Sequence, residues 1–248
     1  MHDDLQIHDL HRVLGPVPHD ESPTPDAASL RADLASLGVA SCSAVASGQL
    51  YGDPSASWPD DLGSDEPADG PISMVPVIIP AAAGGGWPAG PDELVGLGAR
   101  LVRACPVRHR WDLTSAMAGD WWGALTAGGI AVSLDVTEVG FGAVAALAGA
   151  FPDLTVVALN PGYRELRRTA ALLAERGNVV VETGTLNTAG AVEWLAGAAG
   201  ADRLVFGTGG PLADDAGATW LLRHLDLPRA DVERIAAGTA RDLLGVAA

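Results

Sequence analysis

The sequence predicts a single (β/α)8 TIM barrel of the α/β class, and three observations lead there. Short apolar runs alternate with longer amphipathic ones, which is the pattern of repeated βα units and a parallel sheet. Eight such units can be counted along the chain. The length of 248 residues suits one domain of this kind, which needs about 250, so residues 1–248 are read as one domain.

Taken in order, Leu5 to His11 predicts the first strand, and Asp26 to Leu37 a helix that Pro25 precedes and Gly38 ends. Val39 to Ala46 is the second strand. Gly48 to Gly70 follows, rich in Asp, Pro, Ser and Gly, and is expected as a surface excursion or lid. Ile72 to Ile79 predicts strand three, Pro91 to Leu97 a short helix, and Arg100 to Cys105 strand four. A helix over Ser115 to Ala127, strand five over Ile130 to Val136 and a helix over Phe141 to Ala150 come next. Thr155 to Leu159 is strand six. Tyr163 to Arg176 is a helix with Leu166, Ala170 and Leu173 on one stripe and arginines on the other. Strand seven (Val179 to Glu182), a helix (Thr188 to Ala198), strand eight (Leu204 to Phe206) and a helix (Ala216 to Leu225) complete the count. Pro228 then opens a terminal helix over Ala230 to Leu244.

Composition narrows the function classes. All 15 basic residues are arginine, against 31 acidic residues, for a formal net charge of -16. Such a field repels phosphate backbones and anionic lipid, so neither nucleic acid nor a membrane surface is expected as a partner. Without lysine there is no lysine Schiff base or lysine general base. Arginine without lysine beside abundant Ala and Gly is the composition of a GC-rich bacterial genome. The acidic start Met1-His2-Asp3-Asp4 leads into no apolar run, and the apolar stretch Gly129 to Phe151 is broken by Asp135 and Glu138. Neither a secretory signal nor a membrane span is expected, and a cytoplasmic protein is the plain reading. Cys42 and Cys105 are expected as buried small apolar groups rather than a disulfide. A small molecule is the expected partner, and a homodimer is the base-rate expectation for soluble barrels.

In such barrels chemistry sits where strands end and βα loops begin. Polar residues there form a ring: Asp9 and His11 after strand one, Ser47 after two, Arg103 and His109 at four, Asp135 and Glu138 at five. Asn160, Tyr163 and Arg164 follow strand six, Glu182 and Thr183 strand seven, and Thr208 strand eight. Asp9 and His11, two apart on one strand, share a face; they form either a site pair or a barrel histidine satisfied by its neighbour. His109 is either a base or substrate contact or a solvated loop residue between arginines. Glu182 ends a Val-Val-Val strand and faces either the mouth or a buried partner, the mouth being favoured because an unpaired core carboxylate is costly. Arg103, in register with Leu101 and Cys105, projects toward the mouth and needs either an anionic ligand or a partner such as Glu182 or Asp135. Gly84 to Gly86 and Gly207 to Gly210 read as tight turns, with exposed N–H groups for a phosphate as the alternative. Trp58, Trp87, Trp111, Trp121 and Trp122 lie in or near loops, where one or two could wall an apolar pocket. There is no Gly-x-Ser-x-Gly elbow.

Several phrases resemble the amidohydrolase-2 family of the amidohydrolase superfamily, the group that includes aminocarboxymuconate-semialdehyde decarboxylase. They are Asp9-Leu10-His11-Arg12-Val13-Leu14-Gly15-Pro16 near the start, Phe151 to Asn160, Asp202 to Pro211, and Gly238-Thr239-Ala240-Arg241-Asp242-Leu243-Leu244 at the end. The resemblance implies a barrel with a metal-dependent site. It also marks departures: Val13 stands for the second histidine of the opening motif, Asp135 and Asn160 for those of strands five and six, and Gly209 for the last aspartate. Of the family's ligands only His11 survives. No resident cofactor is therefore expected, the alternative being a divalent metal on a rebuilt set of Asp9, His11 and Asp135.

The expectation is a divergent small-molecule hydrolase or lyase. Asp9, His11, Asp135, Glu182 and His109 are its candidate acid/base residues, and Arg103, Asn160, Tyr163, Arg164 and Thr208 its candidate substrate contacts. Two alternatives stay open: a catalytically silent barrel serving as a binding subunit, and a hydrolase with the rebuilt metal set.

Overall fold

A computed structural model describes residues 2, 4–18, 24, 26–54, 71–81 and 86–246. Most of the expected excursion after strand two, residues 55–70, together with Trp58, lies outside the described residues.

Nine strand segments make eight parallel staves. β1 (His8–Leu14), β2 (Ser41–Ala46) and β3 (Ile72–Met74) form one ladder; β4 (Val77–Ile78), β5 (Leu101–Ala104), β6 (Ala131–Asp135), β7 (Val156–Leu159), β8 (Val179–Glu182) and β9 (Leu204–Val205) form the other. β3 and β4 are one stave, the expected third strand, divided at Val75-Pro76. Proline has no N–H to give a ladder, so the run changes partner there. The Val75 N–H donates to Ala44 O at 2.8 Å, and Pro76 accepts from the Arg103 N–H at 2.8 Å. The other seam closes where β1 meets the chain after β9: Leu10 N–H donates to Phe206 O and Val13 N–H to Gly210 O, at 3.0 and 2.9 Å. The barrel is thus closed on both sides.

The helices begin where the sequence offers caps. α1 (Ala27–Leu37) is capped by Asp26, which accepts from the Ser29 N–H, and ends at Gly38 with φ 65°. α2 (Ser47–Tyr51) is one short turn after β2, and α3 (Pro91–Gly96) starts on a proline. α4 (Ala116–Gly128) is capped by Ser115. α5 (Val136–Ala150) starts five residues before the expected Phe141, because Asp135 caps it and a bend at Gly140 (φ 79°) joins two helical pieces. α6 (Leu166–Glu175) buries Thr169, Leu172 and Leu173. α7 (Ala191–Ala199), α8 (Asp215–Arg223) and α9 (Arg229–Glu233) follow, and a π-helical turn (Arg234–Gly238) leads into α10 (Thr239–Leu244).

Alternation along the strands sorts the core into two layers. Leu10, Val45, Val77, Leu101, Cys105, Ala131, Val157, Val180 and Val205 fill the barrel, with Ala240, Leu243 and Leu244 of α10 packed against them. Val102, Ala104, Val132, Leu134, Val156, Ala158, Val179, Val181 and Leu204 face outward under the helices, in the same cluster as Trp121 and Trp122. Those two tryptophans are core residues, not pocket walls. Cys42 and Cys105 are buried and are not joined in a disulfide. Among the described residues no helix is long and apolar enough to cross a membrane.

Candidate active site

β1 carries a bulge between Asp9 and Arg12. The extra residue breaks the two-residue alternation, so Asp9 and His11 do not share a face as the sequence suggests. Asp9 is fully buried and turns to the end of β9, where its carboxylate accepts from the Thr208 N–H at 3.0 Å and the Thr208 hydroxyl at 2.6 Å. It also accepts the backbone N–H of His11 at 3.1 Å, and Arg12 lies 3.6 Å away. Burial raises the Asp9 carboxyl above its usual range, although Arg12, Thr208 and the His11 amide pull the other way. Asp9 and Thr208 are therefore a latch across the barrel seam, not part of the mouth. Thr208 completes the latch by accepting from the Gly210 N–H at 3.0 Å.

Arg12, which sequence reasoning passed over, stands at the centre of that seam. It is fully buried, donates to Asp215 at 2.7 Å, Thr208 at 3.3 Å and Asp33, and so joins β1, α1, α8 and the loop after β9. The available signal was a permanently charged side chain inside a strand, between His11 and Val13, where a buried arginine needs carboxylate partners.

His11 turns the other way. Its Nδ1 lies 2.8 Å from Oε1 of Glu182, a carboxylate with no exposed surface. The partner of His11 is thus Glu182 at the end of β8, not Asp9. Oε2 of Glu182 accepts the Asn160 N–H at 2.7 Å, with Asn160 held in the left-handed region at φ 51°. The Asn160 side-chain amide donates to Asp135 Oδ2 at 2.8 Å, and Arg103 Nη2 donates to the same oxygen at 3.3 Å. Asp135 Oδ1 is taken by the N–H and hydroxyl of Thr137, at 2.8 and 2.6 Å, as the cap of α5. Burial would raise the Asp135 carboxyl, but Arg103, Thr137 and Asn160 outweigh it and hold it below its usual range. Five strands, β1, β8, β7, β6 and β5, therefore join in one chain of contacts, His11 to Glu182 to Asn160 to Asp135 to Arg103.

The glycine phrase after β9 makes room for this chain. A Cβ on Gly207 would stand 2.6 Å from Glu182 Oε1 and 3.2 Å from His11 Cβ, and one on Gly210 would strike the Arg12 guanidinium. The N–H groups of Thr208, Gly209 and Gly210 are spent on Asp9, His11 O and Thr208 Oγ1. That phrase is clearance for buried side chains, not a phosphate cradle. Gly84 and Gly85 lie outside the described residues.

Above the chain opens a cavity of about 380 Å³, lined by His11, Arg103, Asp135 and Asn160 with Arg108, Thr137 and Thr185 and, on its apolar side, Val13, Leu50 and Leu212. Arg108, Thr137 and Thr185 were not singled out by sequence. His109 stands outside this lining, half-buried beside the backbone of Gln49 and Leu50, and burial pushes its pKa down. Tyr163 and Arg164 are exposed on the turn after β7, the guanidinium of one 5.3 Å from the ring of the other, and do not line the cavity. Cys105 lies in the lining with its thiol pKa raised by burial, the setting of an inert thiol rather than a nucleophile.

A resident divalent cation needs three or four convergent, deprotonated donors. Among the described residues no group of three or more His, Cys, Asp or Glu side chains is so placed. Asp9 faces the seam, Glu182 is engaged by His11 and Asn160, and Asp135 already holds the Arg103 cation. The set Asp9, His11 and Asp135 does not converge, and these donors do not fit a resident metal.

Three comparisons bear on this geometry. The sequence profile of the Amidohydro_2 family, described as amidohydrolase, matches residues 86–246. No curated protein matches the sequence. Among solved structures, an uncharacterized TIM-barrel protein of Bordetella bronchiseptica is 19% identical with a TM-score of 0.70, covering 97% of this chain and 99% of the other. The 5-carboxyvanillate decarboxylase of Sphingomonas paucimobilis is 12% identical with a TM-score of 0.75, covering 98% of this chain and 100% of the other. A zinc-bound amidohydrolase of Burkholderia multivorans is 16% identical with a TM-score of 0.69, at the same coverage. At such identities the likeness establishes the barrel.

Proposed function

The chain belongs to the amidohydrolase family, and from that premise we propose that it is a small-molecule hydrolase or lyase worked by the His11–Glu182 pair without a resident metal. The observation that carries this reading is the 2.8 Å contact between His11 Nδ1 and the buried Glu182, with His11 lining an open cavity. Glu182 accepts the Nδ1 proton and so leaves Nε2 as the free base. Nε2 removes a proton from water or substrate, the buried carboxylate steadies the imidazolium formed, and the same proton returns to the leaving atom. Asn160 holds Glu182 in place and is a positioning residue. The family contains decarboxylases and hydrolases, which makes both reaction types the first to try.

The silent-barrel alternative calls for a mouth filled by side chains, and the cavity of about 380 Å³ supports the enzyme reading instead. The test is a screen of aryl esters, lactones and aromatic carboxylic acids for turnover, on protein dialysed against EDTA. His11→Ala and Glu182→Gln are expected to lower turnover by about 10²- to 10⁴-fold, the usual worth of a positioned acid/base group. Unchanged turnover in both variants overturns the pair. Activity lost on dialysis and restored by zinc overturns its independence of metal.

A further inference from the structure

At the lower end of the barrel, where strands begin, a second cavity of about 270 Å³ opens between β1, β2, β3 and α10. His8 is in phase with Leu10, Ser41 and Ser43 with Val45, and Ser73 with Val75, and those apolar partners fill the barrel. The ladders set His8 beside Ser41 and Ser43 beside Ser73. Four polar side chains therefore turn inward beneath the apolar layer. From the opposite side α10 brings Arg241, near enough to His8 to disfavour a proton there. Its guanidinium has no ion pair or hydrogen bond among the described residues, and its acidic neighbour Asp242 is held by Arg234 at 2.6 Å. Among the described residues no Asp or Glu lines this cavity, in a chain with 31 acidic residues and a formal net charge of -16.

We propose that this cavity is an anion site separate from the mouth, taking the phosphoryl group of inorganic phosphate or of a small phosphate monoester. Arg241 supplies the charge and a fork of N–H donors, and the Ser41 and Ser73 hydroxyls donate from neighbouring strands. With its proton on Nδ1, His8 donates to Ser41 and accepts from Ser43, which leaves the Ser41 proton for the ligand. A carboxylate offers its oxygens in one plane, whereas the three of a phosphoryl group suit donors arriving from a helix and two strands. Ile7, Ala237 and Leu244 wall the carbon group of a monoester. The field of the whole chain repels extended polyanions, so the occupant is small. The site stands independently of the acid/base reading of the mouth.

Calorimetric titration of the intact protein at low ionic strength tests it, with phosphate and phenyl phosphate as probes and chloride and phenol as controls. The phosphoryl compounds are expected to bind once per chain, about tenfold or more tightly than either control, and to raise the melting temperature. Phenyl phosphate binding more tightly than phosphate assigns the site to a monoester, and equal affinity to inorganic phosphate. Arg241→Gln is expected to weaken both by about tenfold. Ser73→Asp places a carboxylate in the cavity at an exposed position and should do the same; it decides the matter if Arg241→Gln does not fold. Arg108→Gln, at the mouth, should leave binding unchanged. Phosphate bound no better than chloride, unchanged affinity in Arg241→Gln or Ser73→Asp, or binding lost in Arg108→Gln overturns the site.

Discussion

Arg12 and Arg103 are both buried at the upper end of the barrel, and they differ in how completely they are paired. Arg12 meets Asp9, Asp33, Asp215 and Thr208, and only its Nε lacks a partner. Arg103 bonds a single carboxylate, Asp135, with the Cys105 thiol and the Glu182 carboxylate as its further neighbours. The same division separates two histidines of β1. His8 has both ring nitrogens engaged, with Ser41 Oγ at 2.8 Å and Ser43 Oγ at 2.9 Å, while His11 engages Nδ1 with Glu182 and lines the cavity. A saturated buried polar group holds the fold together, whereas one with donors or lone pairs to spare beside a cavity is available for chemistry.

Removing the more completely paired arginine should hurt stability most. Arg12→Leu strands three carboxylates and is expected to cost about 3–5 kcal/mol, the usual result of deleting one side of a buried ion pair. A chemical melt reads it, and a loss under about 1 kcal/mol breaks the contrast with Arg103.

His8 gives the next largest effect and does so through pH. Burial first, then Arg241, pushes its pKa down to about 4 from 6.5. The unfolded chain takes up this proton below pH 6.5 while the folded chain resists it until about pH 4. The contribution of His8 is therefore complete above pH 6.5 and lost as pH falls through that window. At ~1.4 kcal/mol per pH unit it amounts to about 3 kcal/mol. Melts of the protein and of His8→Gln across pH 4–7 should show the acid limb flattened in the variant; parallel limbs refute the assignment.

Arg103→Gln should change least. Losing one 3.3 Å bond to Asp135 is expected to cost about 1 kcal/mol or less. A loss comparable to that of Arg12→Leu would show Arg103 to be a structural residue too, and would sharpen the comparison in the opposite sense.

Much of the fold was legible because it rests on local rules. The apolar runs at 101–104, 131–135, 156–159 and 179–182 became strands, and Asp26, Ser115 and Gly38 capped helices where such residues should. Proline at 76 divided a stave that hydropathy alone reads as one, and Asp135 began α5 early because its carboxylate serves both the cap and the mouth. The site was legible in part. His11, Asp135, Arg103, Asn160 and Glu182 do meet, whereas Asp9 and Thr208 turn to the seam and His109, Tyr163 and Arg164 stand outside the cavity.

The sequence by itself determined the alternation of strands and helices, and with it which residues end strands, because periodicity and capping act over a few residues. Only the tertiary structure decided which of those polar groups are saturated. His11 lies 171 residues from Glu182, and Asp9 lies 199 from Thr208. One bulge in β1 sends these two near neighbours to different partners. Hydrogen bonds and ion pairs depend on distance and angle in space, so the difference between a strut and a reactive group appears only when the barrel closes.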